Sequence, residues 1–245
     1  MYREEYENGN VIIKLVINVC KCFNMRNTIG RVLLILGIYL GLKYLGGSIG
    51  AKLLYPITLL VTFLHEFGHA LGAVLTGGSV EQVQINPNGS GYTVSRGGIR
   101  SIIIMGGYIG SAILGNLLFY IGTKSQKLIK PMLYLLSAAM MFTAFFWFNS
   151  FFTTGILILF AIVLGFIGLK TKYGREVLMF IGLASILYII QDFNVGPSSD
   201  LAAYADTMII LPATVWKYIW LTIVVLLFII NIRAIFRPRA KKESL

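Results

Sequence analysis

The sequence predicts an all-α polytopic membrane protein of about six to seven transmembrane helices, with one short β-hairpin set between two of them. Three observations lead there. Hydrophobic residues make up 57% of the 245 positions against 13% charged, with a mean hydropathy of +0.79, far from the balance that lets a soluble domain cover its core with charge. The apolar stretches run for about 16 to 24 residues, and roughly 20 helical residues at 1.5 Å each cross a hydrocarbon core. The charges gather in short connectors between those stretches and at the two ends.

Residues 1–30 read as an amino-terminal interfacial segment. From Val11 to Phe23 the polar positions Asn10, Lys14, Asn18 and Lys21 recur every three or four residues, which draws one narrow polar stripe along an apolar helix. Candidate spans follow at about 32–46, 53–76, 101–122, 131–149, 153–169, 176–191 and 213–232, so that 31–235 forms the transmembrane core and 236–245 a basic tail. Between the second and third spans, Val80, Val83 and Ile85 alternate with polar residues ahead of Asn86-Pro87-Asn88-Gly89, the pattern of short strands joined by an Asn-Gly turn. In the third span, Gly106, Gly110 and Ser111 have the small-residue spacing of close helix packing, and Asn116 reads as a packing polar group before it reads as an oxyanion donor. Phe145-Phe146-Trp147-Phe148 resembles an aromatic belt at a span end. A second polar island, Gln191 to Asp206, contains Gly196-Pro197-Ser198-Ser199, where one helix breaks and Ser199 is placed to cap the next.

The formal charge of +11 is spread over connectors and ends, where anionic lipid headgroups attract it; a nucleic-acid partner is not expected. Cys20 and Cys22 stand one residue apart with no other cysteine, so there is no disulfide framework. No cleavable leader pattern opens the chain, and the first span is expected to direct insertion. The clusters Lys124–Lys130, Lys170–Arg175 and Arg233–Lys242 favour one membrane side, whereas Lys14, Lys21, Arg26 and Arg31 fall opposite, so charge alone assigns no sidedness.

The chain has two histidines, and they stand four residues apart in His65-Glu66-Phe67-Gly68-His69. On a helix, positions i and i+4 share a face, so both imidazoles can reach one Zn²⁺ while Glu66 lies near enough to take a proton from attacking water. Ionisable groups at membrane depth cost several kcal/mol unless paired, hydrated or bound to metal, at about 2.5–3.5 kcal/mol or more each. A hydrolytic zinc site needs a third protein ligand. The only aspartates are Asp192, Asp200 and Asp206, all in the second polar island. Asp200 is preferred, because it follows the Gly-Pro-Ser-Ser break and falls in the first turn of a new helix; Asp192, at a span end, is the rival, and Asp206 comes third.

These features together resemble the site-2 protease family of intramembrane zinc metallopeptidases, and its small bacterial branch most closely. The likeness rests on His65-Glu66-Phe67-Gly68-His69-Ala70 followed by Gly77-Gly78, the hairpin around Asn88-Gly89, the run Gly106-Gly107-Tyr108-Ile109-Gly110, and Ser199-Asp200 before a final span, and it covers about residues 50 to 235. It implies one Zn²⁺ per chain held by His65, His69 and Asp200, with Glu66 as catalytic base. It also implies a multi-pass protein of a bacterial cell membrane that cuts transmembrane protein substrates. The family's distal aspartate stands in a Leu-Asp-Gly or Asn-Pro-Asp-Gly setting, whereas here the surroundings are Ser-Ser-Asp-Leu. Two other readings compete: a metal-binding membrane transporter, which gives Glu66 no particular role, and a non-catalytic protein that binds membrane partners. A homo-oligomer is compatible with all three.

Overall fold

The computed structural model describes residues 28–148, 150–170, 172–191, 193, 195–197 and 199–236. The expected interfacial stripe with Cys20 and Cys22, the rival ligand Asp192, and the basic tail beyond Phe236 lie outside the described residues.

Among the described residues, seven helical segments are long and apolar enough to cross a membrane, which agrees with the number of stretches read from the sequence. The first is α1 (Thr28–Leu40), continued through a wide turn at Gly41–Leu45. The second is the 29-residue α2 (Gly47–Leu75), which carries both histidines. After the strands β1 (Ser79–Ile85) and β2 (Gly91–Arg96), the third span is built from α3 (Arg100–Met105), a wide i→i+5 turn at Gly106–Gly110, and α4 (Ser111–Lys124). Next come α5 (Ile129–Phe146), α6 (Phe151–Lys170) and α7 (Gly174–Gln191). The short α8 (Asp200–Met208) precedes the last span, α9 (Ala213–Phe236).

The buried apolar residues fall into two main groups. Leu59, Phe63 and Leu64 of α2 pack with Ile85 of β1 and with Leu118, Leu133, Leu157 and Leu178 from α4 to α7. Ile104, Tyr108, Phe193, Leu201, Tyr204 and Trp220 form a second cluster that seats α8 between α3 and α9. Two buried asparagines join α4 to α9 inside the bundle. The Asn231 amide of α9 donates to the Asn116 carbonyl and side-chain oxygen, both at 2.8 Å, and the Asn116 amide donates to the Ala112 carbonyl. Asn116 is thus a helix-packing group, the first of the two roles read for it.

The hairpin runs back along α2. Near its tip the Tyr55 hydroxyl donates to the Pro87 carbonyl (2.6 Å) and the Thr62 hydroxyl to the Gly89 carbonyl (2.7 Å). The two strands pair antiparallel, with Val83 opposite Thr93 and Ile85 opposite Gly91, and with an irregularity between Val80 and Gln82. That bulge is why Val80 and Val83 stand three apart rather than two. The outer edge of β1 is covered: Val83 N–H donates to the Trp147 carbonyl (3.2 Å) and Ile85 N–H to the Thr153 hydroxyl (3.0 Å). Phe145, Phe146 and Phe148 are exposed, as an aromatic belt requires, while the Trp147 ring lies 6.2 Å from that of Phe67.

A candidate metal centre between two helices

His65 and His69 lie one helical turn apart on α2 and turn their rings to the same point, with ring centroids 4.8 Å apart. The break at Gly196-Pro197 ends the preceding segment, and the Ser199 hydroxyl accepts the Ala202 N–H, capping α8. The cap fixes Asp200 as the first residue of α8. Asp200 Oδ2 lies 2.9 Å from His65 Nε2 and 3.1 Å from His69 Nε2, and the two Nε2 atoms are 3.1 Å apart. Asp206, further along α8, is exposed and outside this group.

The donor set fits a small divalent cation. A carbonyl can only accept, so the 2.7 Å contact between His69 Nδ1 and the Ile103 carbonyl puts the ring proton on Nδ1 and leaves the Nε2 lone pair facing Asp200. A nitrogen lone pair opposed to a carboxylate oxygen at 3.1 Å is repulsive unless a cation sits among them. Tetrahedral zinc with bonds of about 2.0–2.1 Å sets its ligand atoms about 3.3 Å apart, near the 2.9–3.1 Å found for these three. The side chains keep partial access to solvent, 20% for His65, 10% for His69 and 30% for Asp200, enough to leave one side of the group open.

The surroundings fix the two rings. Tyr108 meets the His65 ring edge-on at 4.9 Å, stacks on Phe193 at 4.8 Å and approaches Trp220 at 5.8 Å. Tyr204, four residues after Asp200 and on the same face of α8, abuts Trp220 at 4.7 Å. One aromatic group therefore supports His65 on α2 and the helix that carries Asp200 opposite. The third span approaches so closely that a Cβ on Gly68 would strike the Gly106 carbonyl, and one on Gly107 would strike both imidazoles. The wide turn at Gly106–Gly110 brings that backbone against the histidines, with the Ser111 hydroxyl donating to the Gly107 carbonyl.

Glu66, next to His65 on α2, turns its carboxylate toward the hairpin and is only 4% exposed. Its carboxylate accepts a hydrogen bond from the Thr93 hydroxyl at 2.9 Å. Neither Thr93 nor Gly107 was singled out by sequence reasoning. Gly107 had a signal as one glycine of the run Gly106–Gly110 on which the family likeness rests, whereas Thr93 is an ordinary strand threonine with no local signal at all.

The Peptidase M50B-like family model matches residues 33–231 of the chain. No curated protein and no solved structure matches it. The match reaches into all seven candidate membrane spans of the described residues and includes the histidine pair and Asp200. The chain therefore belongs to the Peptidase M50B-like family, a site-2 protease-like family of intramembrane metallopeptidases.

Proposed function

We propose that this chain is a zinc metalloendopeptidase that hydrolyses peptide bonds in or near the transmembrane segments of other membrane proteins, in regulated proteolysis of the site-2 protease kind. The observation that carries the reading is the approach of His65, His69 and Asp200 to within 2.9–3.1 Å, from helices far apart in sequence, in a chain of seven apolar spans. In this reading the three residues hold one Zn²⁺ and Glu66 is the general base. The chemistry zinc supplies at such a donor set is acidification of water and polarisation of the scissile carbonyl. Glu66 accepts the proton of the attacking water and passes it to the leaving amine. The Ile103 carbonyl keeps the His69 ring in its donor tautomer, and Asp200 contributes the negative charge that offsets the cation.

A transmembrane substrate hides its carbonyls in helical hydrogen bonds and has to unwind before attack. The hairpin offers an edge for the extended segment. Val83 and Ile85 direct their N–H groups away from β2, so the facing residues Thr93 and Gly91 direct their own peptide groups away from β1, toward the uncovered edge. Pairing of a substrate strand there follows the general strand-addition mode. A bacterial cell membrane is the proposed location, on the likeness to the small bacterial branch.

Purified Glu66→Gln should retain stoichiometric zinc and lose cleavage of a reconstituted single-span substrate by about 10²-fold or more. Unchanged cleavage would sink the catalytic assignment. A transporter or a non-catalytic binder would give a wild-type chain that binds metal but cuts no substrate at all.

A further inference from the structure

The Glu66 side chain lies across β2. Gly91 and Thr93, two residues apart on one strand, present the same face to it. A Cβ at Gly91 would sit 2.8 Å from Glu66 Cγ and 2.8 Å from Thr62 Cγ2, so only a glycine there lets the strand close over the Glu66 stem. The Thr93 hydroxyl then stands 2.9 Å from Glu66 Oε2 and 3.0 Å from the Glu66 carbonyl oxygen. A hydroxyl has one proton to give, and an ionised carboxylate is the stronger acceptor, so the charged form of Glu66 draws that proton to Oε2. The second carboxylate oxygen has no hydrogen-bond partner among the described residues. A glutamate side chain has three rotatable bonds, and one 2.9 Å bond from a rigid strand selects which oxygen remains for the reacting water.

We propose that Thr93 is a positioning residue for the reaction: its hydroxyl fixes the Glu66 carboxylate so that one oxygen is held and the other is presented to water. The inference rests on the reading of Glu66 as the base. The strand is anchored independently of this bond, through the pairing with β1 and through Tyr55 and Thr62 at the tip, so loss of one hydroxyl leaves the hairpin in place. The peptide group of Thr93 lies on the free edge of β2, whereas its hydroxyl faces Glu66. Substrate pairing and base alignment therefore depend on different atoms of one residue, and they separate in kinetics as KM and kcat.

The test uses the full chain reconstituted in lipid with a single-span substrate, measuring kcat, KM and bound metal. Thr93→Val keeps the branched shape and removes the hydroxyl; kcat should fall about 10- to 100-fold, with KM within about twofold of wild type and metal content unchanged. Thr93→Ser restores the hydroxyl without the methyl and should return kcat to within about threefold. In a Glu66→Gln background, Thr93→Val should lower the residual rate no further, because the two residues act as a unit. Should Thr93→Val fail to insert, Thr93→Ala carries the same expectations. Wild-type kcat in Thr93→Val, equal losses in the Val and Ser variants, or a loss explained by KM or metal content would each overturn the proposal. Failure of the base reading shows separately, as cleavage by Glu66→Gln alone.

Discussion

A single carbonyl decides what His69 can do. Bonded through Nδ1 to Ile103, the ring has one nitrogen left with a lone pair, and that nitrogen faces the Asp200 carboxylate. In the proposed reading, His65, Asp200 and His69 form the donor set for the metal. Asp200→Ala should therefore lose most of the bound zinc, by metal analysis of the purified protein, while Asp192→Ala keeps it. Zinc lost only from Asp192→Ala would reassign the third ligand. The histidine pair was legible in the sequence because helical periodicity alone puts i and i+4 on one face. Asp200 was legible through its neighbours, since Ser199 caps a helix and a cap fixes which residue stands in the first turn. Thr93 was not legible, because it acts across a contact between segments and nothing within three residues reports on it; Gly107 showed only as one glycine of the run Gly106–Gly110, and its approach to the imidazoles is a tertiary contact.

At the scale of elements, the hairpin was visible as alternation and an Asn-Gly turn, but its placement was not. Its β1 edge is closed by Trp147, in the connection between α5 and α6, and by Thr153 in the first turn of α6, whereas among the described residues no backbone partner closes the outer edge of β2 at Gly91 and Thr93. Thr153 carries much of this. It is 2% exposed, accepts the Ile85 N–H at 3.0 Å, and reaches the Ile85 carbonyl at 3.1 Å. Thr153→Val keeps the volume and strands both peptide groups, at a cost of about 1–3 kcal/mol. The Ile85 amide should then exchange hydrogen about 5- to 150-fold faster, with the Gln84 amide, inside the ladder, less affected. An unchanged Ile85 rate would mean that the edge is held by Trp147 alone. The sequence showed Phe145–Phe148 as a lipid-facing belt, and the rings of three of them are exposed accordingly. What it could not show is that the main chain at Trp147 doubles as a strand partner, because backbone hydrogen bonding carries no side-chain signature.

Across the whole molecule, two clusters divide the labour. The larger one ties α2 and β1 to the bundle from α4 to α7, and the smaller one seats α8 against α3 and α9. Seven apolar runs of sufficient length made the span count readable, whereas the docking of a nine-residue helix against α3 and α9 depends on tertiary packing that no local period encodes. Two kinds of contact hold α8 in place. Leu201 and Tyr204 bury apolar surface against Trp220, and Arg100 Nε donates to the Thr207 hydroxyl at 3.1 Å; Asp200 alone faces the histidines. If a metal joins Asp200 to α2, its removal takes away the one link between the two helices that apolar packing does not supply, and stability conferred by a bound ion vanishes with the ion. Stripping with a chelator should therefore speed hydrogen exchange in Leu201–Met208 by about tenfold or more, while amides of Leu178–Ile181 in α7, which belong to the larger cluster, keep their protection. Equal protection of α8 with and without metal would show that Leu201 and Tyr204 suffice to dock it. Loss of protection in α7 as well would show that the two clusters are one cooperative unit, against the division seen in the packing.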